Sequence, residues 1–151
     1  MDHQLFLLNH YVQQHPGLMK PVLLYIRPGV YEKIEVPLIV HVKAESNCFA
    51  IYQYNTEQPI VISKCLANIE ALLPADFFIR IHRSDIINIF MVARFYPDDG
   101  LITLLNRQEV RIAEKRVSAF TRKFQFWMGR LHAVRGEEPP SFAGEEEQSR
   151  A

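Results

Sequence analysis

No G-x-S-x-G elbow, H-E-x-x-H pair or glycine-rich phosphate loop occurs in this sequence, so the common nucleophile, zinc-hydrolase and nucleotide sites have no foothold. Cysteine is scarce: Cys48 and Cys65 stand in no metal-ligand spacing. They are expected as free thiols in a reducing compartment, with a single disulfide left open. The six histidines are scattered, none forming the i, i+4 helical pair of a zinc site, although His41 and Cys48 could face each other across a hairpin. No cofactor and no metal are expected. Charge of one sign is also missing, since 17 basic residues balance 17 acidic ones. The N-terminus has Asp2 and His3 where a signal peptide would be basic, and no apolar run reaches membrane-spanning length. A soluble, cytoplasmic protein without a membrane partner is the expectation.

What is present suits one domain with a sizeable core: 151 residues, 48% of them hydrophobic. The balance of charge hides an asymmetry. Five glutamates fall in the Gly- and Pro-rich end GEEPPSFAGEEEQ, which leaves the body basic. The expected organisation is an N-terminal helical extension over 1–20, a domain over 21–132 and an acidic disordered tail over 133–151. Leu5, Leu8 and Val12 place a short amphipathic helix before Pro16-Gly17. From Val22 the pattern becomes β. VLLYIR and VYEKIEV flank the turn pair Pro28-Gly29, and PLIVHVKA, CFAIYQY and IVI follow between polar breaks. Ser63 is a plausible cap for a short helix, KCLANIEALL, ended by Pro74. A hairpin turns at Pro97-Asp98-Asp99-Gly100, a second turn at Asn106-Arg107, and EVRI ends the strands. Val117, Phe120, Phe124, Trp127 and Leu131 then form the apolar face of a last helix, with Arg116, Lys123 and Arg130 seven apart on another face.

The segment FFIRIHRSDIIN, residues 77–88, departs from this order. It begins as an alternating strand, with Phe77, Ile79 and Ile81 opposite Phe78, Arg80 and His82. Four polar residues, His82-Arg83-Ser84-Asp85, then interrupt two apolar runs. Such a knot must be solvated, hydrogen-bonded or engaged by a partner. His82, Ser84 and Asp85 are triad residue types, but neighbours on one strand segment do not reach triad geometry, and no enzyme is expected. Donors on loops suit nucleic acid better. Three loops supply them: Glu45-Ser46-Asn47-Cys48, His82-Arg83-Ser84 and Glu114-Lys115-Arg116. If these ends lie side by side they make one reading edge; taken singly, each is an ordinary solvated turn.

From about Val22 to Phe124 the sequence resembles the LytTR DNA-binding domain family of bacterial response regulators. The resemblance rests on PLIVHVKA leading to Glu45-Ser46-Asn47, the short helix with paired leucines, and FFIRIHRSDIINI, which matches the family's phenylalanine, His-Arg-Ser and Val-Asn signature with Asn88 in the asparagine place. It implies a mainly β fold: an elongated arrangement of small antiparallel sheets with one short internal helix, here with N- and C-terminal helices added. Loops would enter successive major grooves, and the DNA is often bent. Carried over by position, Asn47 and Cys48 fall in the first reading loop, and Arg83 in the central one between His82 and Ser84. Lys115 stands where the third loop usually has arginine. Ser84 and Arg116 become phosphate contacts, and Asn88 a structural residue bonding backbone near the loop.

Four departures bear on affinity. Glu114 replaces a common serine beside Lys115, and lysine lacks arginine's bidentate fork. Cys48 is short, and Asp85 puts an acid next to Arg83. The family's usual receiver domain does not fit in the roughly twenty residues before the fold. The resemblance implies a sequence-specific transcriptional regulator acting on double-stranded DNA, with direct-repeat sites. A homodimer or a regulatory protein partner stays open. The competing reading is a LytTR-like protein-interaction module with weak or no DNA binding, motivated by the neutral charge, the acidic tail and the altered third loop.

Overall fold

A computed structural model describes residues 3–19 and 21–134. Of the expected acidic tail, residues 133–134 are the end of the last helix and 135–151 lie outside the described residues, as does the side chain of Leu131. The chain starts with α1 (His3–Gln14), followed by the hairpin β1 (Val22–Arg27) and β2 (Val30–Ile34). Gly29 makes that turn possible by adopting φ +80°, a region open to glycine at no steric cost. Then come β3 (Ile39–Glu45), β4 (Cys48–Gln53), β5 (Ile60–Ile62), α2 (Leu66–Glu70), β6 (Phe78–His82), β7 (Asp85–Asn88), β8 (Val92–Tyr96), β9 (Leu101–Leu104), β10 (Glu109–Arg111) and α3 (Val117–Val134). The strands form three antiparallel sheets: β1-β2, the five-stranded β5-β4-β3-β7-β6, and β8-β9-β10. The mainly β expectation with one short internal helix and two terminal helices is met.

The apolar run after Asp85 looks continuous in sequence, yet it divides between two sheets. At Asn88 the chain leaves β7, makes a 3-10 turn over Ile89–Met91 and enters β8. The turn is wholly buried, so its polar atoms must find partners inside the protein. Asn88, itself 0% exposed, supplies them: its Oδ1 accepts from Phe90 N at 3.0 Å, and its Nδ2 donates to Pro37 O (3.1 Å) and Ile39 O (3.0 Å). The structural reading of Asn88 holds. The backbone it bonds is the entry to β3 and the sheet-to-sheet step, at the far end of β7 from the polar turn.

The two terminal helices close over this step. Leu7, Leu8, Tyr11 and Val12 of α1 are buried, as are Phe120, Trp127 and Met128 of α3. Tyr11 meets Trp127 edge-on at 5.2 Å and Phe77 at 5.7 Å, while Phe90 lies 4.9 Å from Trp127. The Tyr11 hydroxyl donates to Asp76 Oδ2 at 2.6 Å; burial, reinforced by that carboxylate, pushes the phenol up to about 12 and keeps it a donor. Because Leu7 is 2% exposed inside this cluster, Leu7→Ala should cost about 2–5 kcal/mol in a urea unfolding measurement. A loss below about 1 kcal/mol would mean that α1 is dispensable packing.

Three local expectations need correction. Ser63 does not cap α2: residues 63–64 form a bend, and Cys65, extended at φ −80° and ψ 160°, is the N-cap, so the helix is shorter than KCLANIEALL. Phe77 does not open the alternating strand: β6 begins at Phe78, and Phe77, buried like Phe78, still belongs to the turn that returns from Pro74. His41 and Cys48 do not face each other; register pairs His41 with Tyr52 and Cys48 with Glu45.

Candidate nucleic-acid interface

Strand register brings the three polar loops to one end of the five-stranded sheet. β3 runs up to Glu45, and β4 returns from Cys48, which leaves Ser46-Asn47 as a two-residue turn. Ser46 takes φ +57°, which few residues without glycine's freedom tolerate. β7 pairs with β3 through Lys43 and Asp85, and Ala44 N donates to Ser84 O at 2.8 Å. The second turn, Arg83-Ser84, therefore sits directly beside the first. The third junction docks on the outer side of β6: Ala113 N donates to Ile81 O at 2.8 Å, and Arg116 Nη1 to Arg80 O at 2.9 Å. The juxtaposition that the spacing left open is thus present.

The residues at this end divide into two groups. Asn47, Arg83 and Lys115 are exposed, and none of their side chains bonds another described residue. The others are tied to the protein. Cys48 Sγ donates to Glu45 O at 3.0 Å, and Arg116 spends Nη1 on the Arg80 carbonyl. Arg80 braces the second turn from behind, donating to the carbonyls of His82 and Arg83 while it pairs with Glu70 at 2.8 Å. The basic stripe of α3 is also engaged: Lys123 Nζ donates to Ala75 O at 2.6 Å, and Arg130 lies over the Phe126 and Trp127 rings.

Beneath the Arg83 turn runs a line of polar side chains. His82 Nδ1 lies 3.0 Å from Ser84 Oγ, which donates to Asp85 Oδ2 at 3.1 Å. Asp85 Oδ1 accepts from His41 Nε2 at 2.8 Å, and His41 Nδ1 lies 3.2 Å from Gln108 Oε1. His41 is 2% exposed and stacks on Tyr52 at 5.7 Å. Burial raises the Asp85 carboxyl, but the hydrogen bond and charge of His41, the Ser84 hydroxyl and His82 outweigh it and leave it below the ordinary value. Asp85, expected as a second acid beside Arg83, turns inward and answers the histidine. In this line serine stands between histidine and aspartate, whereas a nucleophile triad needs the base in the middle. The pairing of His41 with Gln108 escaped the sequence reading, since the two lie 67 residues apart in the chain and carry no motif.

The family model of the LytTr DNA-binding domain matches residues 30–125. The chain belongs to the LytTR family. Among solved structures, the LytTR chain resembles the LytTr DNA-binding domain of a methyl-accepting/DNA response regulator from Bacillus cereus. The two are 23% identical, and the match covers 69% of this chain and 95% of that one at a TM-score of 0.58, which shows a shared fold. No curated protein matches. LytTR domains are DNA-binding regulatory domains rather than enzymes, which supports DNA as the partner here. No described helix is long and apolar enough to cross a membrane. Among the described residues no group of three His, Cys, Asp or Glu side chains is placed to hold a metal ion. The α1 helix and the end of α3 beyond residue 125, with Trp127, are additions outside the matched LytTR region.

Proposed function

We propose that this protein is a cytoplasmic, sequence-specific transcriptional regulator that reads double-stranded DNA by inserting adjacent turns into major grooves. The observation that carries this reading is the alignment of three loops at one sheet end, each presenting one exposed polar side chain that bonds no other described residue: Asn47, Arg83 and Lys115. Arg83 supplies a planar fork suited to guanine, and Asn47 an amide suited to adenine. Lys115 contributes a point charge that suits phosphate as well as a base edge. Ser84, His82 and Cys48 shape the turns, and Arg116, with one donor committed to Arg80, retains others for phosphate. Direct-repeat sites taken by two copies fit the family.

Selection from a random-duplex pool tests this. Enrichment of one sequence, bound less tightly as salt rises, is the expected outcome. Failure of any sequence to enrich would favour a protein-interaction module instead.

A further inference from the structure

We propose that the cleft between the two terminal helices is a binding site for a small planar aromatic carboxylate. The cleft lies between α1 and α3, beside the turn that follows Pro74, and holds about 340 Å³. That volume falls at the lower end of small-molecule sites and suits a ligand of one or two rings.

Its lining is aromatic, and its floor is fixed before any ligand arrives. Tyr11 and Trp127, both buried, are tied to one residue: the Tyr11 hydroxyl donates to Asp76 Oδ2 at 2.6 Å, and Trp127 Nε1 donates to Asp76 O at 3.0 Å. His15 stacks on Tyr11 at 4.1 Å, and its Nδ1 donates to Tyr11 O at 2.9 Å. Little ordering of these groups is needed on binding. Phe126 stands beside Trp127 at 5.3 Å and is 57% exposed, so its ring offers apolar contact at the mouth.

The charge of the lining selects an anion. Lys123 and Arg130 face one carboxylate, Asp76, which already accepts from Tyr11. No carboxylate of a described residue pairs with either cation. Arg130 lies 5.7 Å from the Phe126 ring centre and 6.0 Å from that of Trp127, and it donates to no described acceptor. A guanidinium meets a ring through its charge and an acceptor through its N–H edge, so the two contacts do not compete. That edge matches a carboxylate in a bidentate pair. Lys123 adds a second cation: one Nζ donor goes to Ala75 O, and two remain. A carboxylate on these donors with a ring against Phe126 uses both features of the cleft. An aliphatic acid leaves the ring unused, and a neutral aromatic leaves the cations unused.

Most of this lining is particular to this chain. Tyr11, His15, Phe126, Trp127 and Arg130 fall outside the matched residues 30–125. The cleft is also remote from the reading turns. Arg130 stands about 20 Å along α3 from Val117, where the helix leaves the third loop. Occupancy of the cleft is therefore measurable without DNA.

Trp127 is the sole tryptophan, so the single indole N–H resonance of the nitrogen-15-labelled full chain reports on the floor of the cleft. Benzoate should shift it saturably with a midpoint of about a millimolar, and 2-naphthoate with a midpoint about tenfold lower through its added ring. Acetate, which lacks the ring, and benzamide, which lacks the charge, should leave it in place at the same concentrations. Arg130→Gln should raise the 2-naphthoate midpoint about tenfold, and Phe126→Ala should raise it several-fold. Both side chains are exposed, so the fold is expected to survive either change. Arg122→Gln removes an exposed cation of α3 that does not line the cleft, and it should leave the midpoint unchanged. Three results would each overturn the proposal: no saturable shift with either aromatic acid, an equal response to acetate or benzamide, or a midpoint that Arg130→Gln moves no more than Arg122→Gln does.

Discussion

Arg83→Ala should weaken binding to the selected duplex by about 5- to 150-fold, the equivalent of about 1–3 kcal/mol, with the loss concentrated at one base position. The side chain is exposed at the tip of a two-residue turn and has no bond to give up within the described protein. The turn beneath it is held on both sides, by Arg80 donating to the His82 and Arg83 carbonyls and by Ala44 N donating to the Ser84 carbonyl. The guanidinium is therefore presented on a fixed base, so little ordering is needed when it meets a base edge. Because nothing packs on it, the variant should unfold at the wild-type temperature. That separates loss of contact from loss of fold. A base-contact role also predicts relaxed preference at one position, whereas a phosphate contact would weaken all sequences alike and lower the salt dependence. Arg83→Lys should recover only part of the loss, since an ammonium lacks the fork. Unchanged affinity in Arg83→Ala would remove this residue from the interface.

The largest effect on stability should come from Asn88→Ala, on the order of 3–5 kcal/mol. Its side chain satisfies Phe90 N and two carbonyls, Pro37 O and Ile39 O, at a site with no access to water. Alanine removes all three bonds and opens a small void. Asn88→Asp should do no better, because a carboxylate accepts from Phe90 N but cannot donate to the carbonyls, and it arrives as a buried charge. Urea unfolding followed by Trp127 emission measures both variants, Trp127 being the sole tryptophan and 4% exposed. A midpoint change equivalent to less than about 1 kcal/mol for Asn88→Ala would show that the step between sheets does not depend on this amide.

Strand positions and turns were legible because their causes are local. Pro28-Gly29 and Pro97-Asp98-Asp99-Gly100 punctuate alternating apolar segments, and the hairpins form where these residues stand. The polar knot at 82–85 was legible as an interruption that required partners. What the partners were was not. Asp85 looked like a neighbour of Arg83, yet Arg83 lies in the turn while Asp85 opens β7, and its carboxylate meets a histidine 44 residues earlier. His41 looked like one scattered histidine because its two partners come from different sheets. Ser63 had the chemistry of a cap, but a bend over 63–64 moved the helix start to Cys65, whose thiol makes no capping bond of its own. The meeting of three loops was foreseen as a condition and not as a fact. It depends on β7 pairing with β3 instead of with its sequence successor, which only register decides.

The buried step at Asn88 also sets how the domain comes apart. Ile89 N donates to Phe77 O at 2.9 Å on one side, and Leu105 N donates to Met91 O at 2.8 Å on the other, so one three-residue turn is bonded to the chain around both sheets. Neither the five-stranded nor the three-stranded sheet can be peeled off without exposing Phe90 and breaking the Asn88 amide bonds. The two sheets therefore share a single opening event, and partial unfolding is left to the parts that the step does not clamp, such as the β1–β2 hairpin with its exposed Leu23 and Tyr31. The turns that carry Asn47 and Arg83, rooted in β3, β6 and β7, belong to the clamped part of the molecule.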